Sequence, residues 1–221
     1  MKIIHHLDDA TLMSLSSGTL GEALSVVASA HITVCEKCRS RLRRFDLIGG
    51  ALLGAAEPQP VGQNAIGALQ LADFEPDRPA AYESSARRRT DRSSDLPEPL
   101  GWMTNMGLDE IPWKWLGPGV QTHVISLSDP SQGKLRLLKV APNKKLPEHG
   151  HGGTELTMIV SGAYRDEFGR FGPGDIADMD EDVEHQPVVE ADEACICIVA
   201  SEAPARFRGR LSRLLQPLIG M

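Results

Sequence analysis

Two hydrophobic periods divide the chain. Up to about residue 75 apolar residues recur at three- and four-residue steps; from Leu100 onward they alternate. Asp8 and Asp9 can cap a short helix beginning near Ala10, whose Leu12, Met13 and Leu15 precede a stop signal at Gly18. Leu24, Val27, Ala28 and His31 predict a second helix from Gly21 to about Thr33. A third begins near Cys35 and carries Cys38, Leu42, Phe45, Leu47 and Ile48, with Gly49-Gly50 expected to weaken or end it. A weaker fourth covers roughly 62–74, with Ile66, Leu69 and Leu71. Together they make a small helical module, residues 1–75, with few large apolar residues. A metal staple would add much to its stability.

Residues 76–99 change character. Proline, serine and charge dominate, with almost nothing to bury, so this stretch reads as a flexible linker. Its Arg87-Arg88-Arg89 run reads as solvated linker rather than a binding motif. Beyond it the strand candidates are 121–127, 134–140, 155–160, 163–168 and 194–199, separated by turns rich in Gly, Pro and Asp. Many short strands without long helices indicate an antiparallel sandwich or barrel over 100–221. The expected class is therefore α + β in two domains, an all-α bundle followed by an all-β barrel.

Composition adds limits. The 221 residues, with 41% hydrophobic and 24% charged positions, suit one large or two small soluble domains. No stretch approaches the ~18 consecutive apolar residues of a membrane span. The first residues, Met1 to His6, lack an apolar signal-peptide core, so a cytoplasmic protein without membrane contact is expected. The net charge of −7 argues against direct nucleic-acid binding. One counter-signal is the basic run Lys37, Arg39, Arg41, Arg43 and Arg44, either a solvated helix face or a contact for an acidic protein partner or a nucleic acid, the protein being favoured. The four cysteines form two close pairs, Cys35/Cys38 and Cys195/Cys197. In a reducing compartment, C-x2-C beside a histidine reads as a metal site rather than a disulfide frame.

Two constellations carry chemistry. His31, Cys35 and Cys38 form H-x3-C-x2-C, which places the three side chains on one face if the segment is helical or nearly so. Tetrahedral zinc needs a fourth ligand. His6 supplies it if the first helix folds back on the second; His5 is the neighbouring alternative. The competing reading is a redox C-x2-C or plain buried cysteines. Far downstream, His149 and His151 share a strand face, Gly152-Gly153 lets the chain bend so that Glu155 can join, and His185 arrives from a later strand. Three imidazoles and a carboxylate suit zinc, with iron, manganese or nickel as alternatives, and leave room for exogenous ligands. Two readings stand for Cys195 and Cys197: buried small residues, or thiols near the second metal that sense oxidation. His123 reads as structural or exposed. Trp102, Trp113 and Trp115 read as covers for a barrel end or a linker.

These residues carry a resemblance. His6 followed by H-x3-C-x2-C resembles the zinc-binding anti-sigma domain, and H-x-H-x3-E-x6-G, closing on Gly162, resembles the first motif of the cupin fold. The second cupin motif departs: Pro173-Gly174 is present, but ten residues separate Gly174 from His185. The chain as a whole resembles the ChrR-type anti-sigma factors, through Ile-x-His-His, Ser-Gly-Thr-Leu, H-G-H-x-G-x-E-L-T, Arg-Asp-Glu, Cys195-Ile-Cys197 and Leu215-Gln-Pro. The resemblance implies a regulator rather than an enzyme. Its partner would be a group IV, extracytoplasmic-function sigma factor, released when the cupin senses singlet oxygen or a related oxidant. The rival reading is a metal-dependent cupin enzyme of dioxygenase or isomerase type, with the helical module as an accessory.

Overall fold

The computed structural model describes residues 2–60, 96–104, 106–129 and 131–207. The expected helix over 62–74, most of the expected linker and the Leu215-Gln-Pro segment lie outside these residues.

Three helices open the chain: α1 (Asp9–Ser16), α2 (Glu22–Val34) and α3 (Glu36–Ala55). Asp8 caps α1, its carboxylate accepting the Thr11 N–H at 2.6 Å. Gly18, at φ +70°, takes the left-handed conformation that ends the segment. A single residue, Cys35, in extended conformation, closes α2 and opens α3. Gly49-Gly50 does not end α3, which continues through both glycines to Ala55. Two glycines cost a helix about 2 kcal/mol relative to alanine, and a twenty-residue ladder of hydrogen bonds absorbs that.

A short helix α4 (Leu100–Thr104) leads into the β-rich part, whose 12 strands among the described residues are all antiparallel where paired. The large sheet has the order β1 (Lys114–Gly117), β2 (Val120–Ile125), β3 (Lys134–Val140), β11 (Cys195–Ser201), β5 (Glu155–Ser161), β8 (Ile176–Met179). Two three-stranded sheets complete it. One holds β10 (Val188–Val189), β6 (Tyr164–Asp166) and β7 (Gly169–Phe171); the other holds β12 (Arg206–Phe207), β4 (His149–Gly150) and β9 (Glu184–His185). Gly162, in the tight β5–β6 turn at φ +70°, has no room for a Cβ, which would run into the Ala194 carbonyl.

The strands of the large sheet alternate between two apolar environments. On β3, Leu135 and Leu137 face the helical layer, while Leu138 and Val140 belong to the core on the other side. On β11, Ile198 and Ala200 face the helices, and Cys195, Cys197 and Val199 the inner core. Both faces are covered, and β11 accordingly reads as almost continuously apolar, whereas β3 keeps Lys134, Arg136 and Lys139 among its leucines. The cover on the outer face is α2, which packs against β3, β5 and β11. Leu24, Val27, Ala28 and Ala30 of α2 are buried in one apolar cluster with Leu137, Leu156 and Ile198. Each large side chain so buried contributes about 1.5–3 kcal/mol. Polar ties secure the ends of α2: Glu22 accepts the Ser128 N–H at 2.9 Å, and His31 reaches the Gly174 carbonyl at 3.0 Å. The helical layer and the large sheet thus share a core.

Candidate metal centres

The α2–Cys35–α3 junction builds the first centre. His31 lies in the last turn of α2, Cys35 is the pivot, and Cys38 sits in the first turn of α3. The chain before α1 brings in His6, whose Nδ1 is 3.3 Å from Cys35 Sγ. One ligand atom from each of His6, His31, Cys35 and Cys38 lies within 4.8 Å of all the others. His5, the alternative, turns elsewhere: its ring stacks on Phe171 with centroids 3.9 Å apart.

The donor chemistry fits a cation. A carbonyl oxygen only accepts, so the Gly174 contact puts the proton on His31 Nδ1 and leaves Nε2 its lone pair. That Nε2 is buried with no hydrogen-bond partner. Burial lowers the His31 pKa to about 4, keeping the ring neutral and available as a ligand. Burial and the neighbouring Cys35 push the Cys38 thiol up to about 11, because two thiolates cannot share this site without a positive charge. The Cys38 N–H points at Cys35 Sγ, 3.5 Å away, so the N-terminus of α3 favours charge on that sulfur. Two thiols and two imidazoles, three of the four buried, form the donor set of a structural metal.

Part of the basic run beside this centre is structural. Arg41 pairs with Asp9 at 2.5 Å and donates to the Leu7 carbonyl at 2.6 Å, and Arg39 donates to the Ile32 carbonyl at 2.8 Å. Lys37, Arg43 and Arg44 are exposed.

The second centre lies on the inner side of the β-rich part. β4 and β9 pair with His149 opposite His185, and His151 follows β4 directly. This pairing carries His185 to the site despite its long separation from Gly174. Ring centroids are 4.7 Å apart for His149 and His185, 5.4 Å for His149 and His151, and 5.2 Å for His151 and His185. His149 Nδ1 donates to the Pro147 carbonyl at 3.0 Å, and His185 Nδ1 is 2.9 Å from Asp166 Oδ2. These outer contacts turn both Nε2 atoms inward, where they face each other at 3.3 Å. Two lone pairs at that distance repel unless a proton or metal ion sits between them. Burial, then His185, lowers the His149 pKa to about 4, which favours the metal.

Glu155 stands slightly apart. Its Oε1 is 3.6 Å from His151 Nε2, but its carboxylate lies outside the close cluster that the three imidazoles form. Burial raises its pKa. The centre borders a cavity of about 100 Å³, lined by Leu138, Val140, Val189, Cys195, Cys197 and Tyr164 among others. Both cysteines of β11 are buried and face this space, outside the cluster of metal donors. His123, on β2, is half-buried, and Trp115 is exposed while Trp113 packs against the outer core.

Sequence reasoning missed Asp166 and the Gly174 carbonyl. The first had a visible signal, an acidic residue within the Arg165-Asp166-Glu167 segment; a backbone carbonyl leaves none.

A helical layer with a His2Cys2 cluster on a cupin-like, β-rich domain defines the class. Residues 104–205 match the family described as the ChrR cupin-like domain. The chain is 37% identical over 219 residues to the anti-sigma-E factor ChrR of Cereibacter sphaeroides, covering 98% of each chain. It therefore belongs to the ChrR anti-sigma factor family. The crystal structure of Rhodobacter sphaeroides SigE in complex with the anti-sigma ChrR aligns at a TM-score of 0.74 and 32% identity, covering 90% of this chain and 99% of that one. No helix among the described residues is long and apolar enough to cross a membrane.

Proposed function

We propose that this chain is a cytoplasmic anti-sigma factor. It sequesters a group IV, extracytoplasmic-function sigma factor and releases it under oxidative stress, singlet oxygen above all. In this reading residues 1–75 are the sigma-binding module, 76–99 the linker and 100–221 a cupin barrel that receives the signal. His6, His31, Cys35 and Cys38 hold Zn2+; His149, His151, His185 and Glu155 hold a second divalent metal, most simply Zn2+. Support comes from the family and from the relative whose crystal structure holds SigE.

The observation that carries the reading is the distal half of α3. Leu47, Ile48, Leu52 and Leu53 are between 57 and 78% exposed, on a helix whose first turn is pinned by the His/Cys cluster. Four large apolar side chains on one exposed stretch mark a protein–protein contact. Exposed Arg43 and Arg44 border it and suit acidic groups on the partner's rim.

Co-expression of the full chain with a group IV sigma factor from the same genome tests this. The intact chain should copurify with sigma at one to one. Leu52→Asp with Leu53→Asp should abolish copurification and leave the melting temperature unchanged, since both positions are exposed. Sigma retained by that variant would overturn the assignment of the surface. His149→Ala should retain sigma yet fail to release it on illumination with a photosensitiser; normal release would remove the second centre from sensing.

A further inference from the structure

The two centres are joined by a continuous set of directional contacts. At one end, the Asp166 side chain is fully buried and its Oδ2 orients His185. Asp166 closes β6, which pairs with β7 so that Tyr164 lies opposite Phe171. Their rings stack at 4.9 Å and 16°. On the far side of Phe171 lies the His5 ring, at 3.9 Å and 22°. Phe171, 2% exposed, is thus the middle of a three-ring stack. His5 Nε2 donates to the Arg170 carbonyl of the same hairpin at 3.0 Å.

The turn after β7 continues the connection. Asp175, 3% exposed, accepts the Gly172 N–H on Oδ2 at 2.9 Å. Its Oδ1 accepts the backbone N–H groups of Ile4 and His5 at 2.7 and 2.9 Å. The residue after His5 is His6. One residue before Asp175, the Gly174 carbonyl fixes the His31 ring. Two of the four donors of the first centre are therefore set by a hairpin whose other end sets a donor of the second. Close-packed interiors pass on such displacements rather than absorbing them.

We propose that the β6–β7 hairpin and its Phe171–Asp175 turn position the ligands of both metal centres at once. His5 and Asp175 act as positioning residues for the His6/His31/Cys35/Cys38 centre, and the occupancy of either centre alters the metal affinity of the other. The inference rests on both clusters holding metal, and not on the identity of the protein partner. Linkage makes the effect reciprocal.

Cobalt titration of the full-length, metal-free chain tests it. Thiolate-to-cobalt charge transfer reports the first centre alone, because the second has no thiolate donor. Emptying the second centre with His149→Ala should weaken cobalt binding at the first by roughly 5- to 10-fold. In a His5→Ala or an Asp175→Asn background, that same change should shrink below about two-fold, as a double-mutant cycle requires. His5→Phe keeps the ring stack and should restore the coupling. Equal affinity with and without His149, or full coupling surviving in both backgrounds, overturns the proposal. So does a chain lacking the charge-transfer band. Loss of sigma binding would leave the result untouched, so the two proposals fail separately.

Discussion

In the helical layer four donors close around one point, with His31, Cys35 and Cys38 buried and His6 half-buried at its edge. In the β-rich part three imidazoles converge beside an apolar cavity, and the fourth candidate, Glu155, stands off to one side. Both centres use histidines fixed through Nδ1, by Gly174 in one case and by Pro147 and Asp166 in the other. The contrast lies in softness and in room. A closed set of two thiols and two imidazoles suits an ion that holds shape; an open imidazole set beside a cavity suits an ion that meets a diffusing reagent. Two ions held in these centres would therefore differ in access as well as in softness.

The largest effect should come from removing the soft donors. Cys35→Ser with Cys38→Ser should lower metal content by one ion per chain and loosen the joint between α2 and α3. Structural zinc of this kind supplies on the order of 10 kcal/mol that folding draws upon. Because the helical layer and the large sheet share a core, the chain should melt well below the parent, helical and β signals falling together. Unchanged metal content would erase the distinction between the centres.

Protons should reveal the same closure. Without metal, the folded-state pKa of His31 lies at about 4 against an ordinary 6.5, through burial. The unfolded chain therefore binds a proton that the folded chain refuses. The stabilisation, on the order of 3 kcal/mol, is complete above pH 6.5 and lost as pH falls towards 4. Urea unfolding of the chelator-treated chain at pH 7 and pH 4.5 measures it. Stability independent of pH across that window would show that His31 is not buried neutral.

How much of this was legible follows from the kind of signal each part carries. α1 and α2 announced themselves through Asp8, Gly18 and the Leu24–Val27–Ala28–His31 spacing, and β3 through the two-residue period of its stretch. His31, Cys35 and Cys38 were readable because their spacing is local to one helix junction. His185 was readable as a residue but not as a geometry, since its place depends on the β4–β9 pairing across 36 positions. The shared core was not visible. An amphipathic helix shows that it has an apolar face, not which sheet will cover it. The roles of His5 and Asp175 were hidden likewise, since backbone contacts across 170 residues leave no pattern in sequence.

A milder change should separate a ligand from its support. Asp166→Asn keeps the shape beside His185 but loses the charge that orients its ring and strengthens the donor. Metal affinity at the second centre should fall about 10- to 100-fold, as for other outer-shell partners of metal-bound histidine. Competition with a chromogenic chelator reads this directly. Affinity equal to the parent would mean that the β4 and β9 backbone alone orients the imidazoles.

The smallest effect should come from repeating the cysteine-to-serine change in the other region. Cys195 and Cys197 are buried on the inner face of β11, next to the cavity but outside the donor cluster. A hydrogen bond with Cys195 and burial push the Cys197 thiol well above its ordinary range, so it stays protonated and unreactive at neutral pH. Cys195→Ser with Cys197→Ser should leave two metals per chain and cost about 1–3 kcal/mol, the penalty for hydroxyls in a poorly solvated space. The same chemical edit would thus remove an ion in the helical layer and none beneath β11. If metal content falls here as well, the cavity thiols are ligands. The second centre would then be as soft as the first, and access alone would distinguish the two.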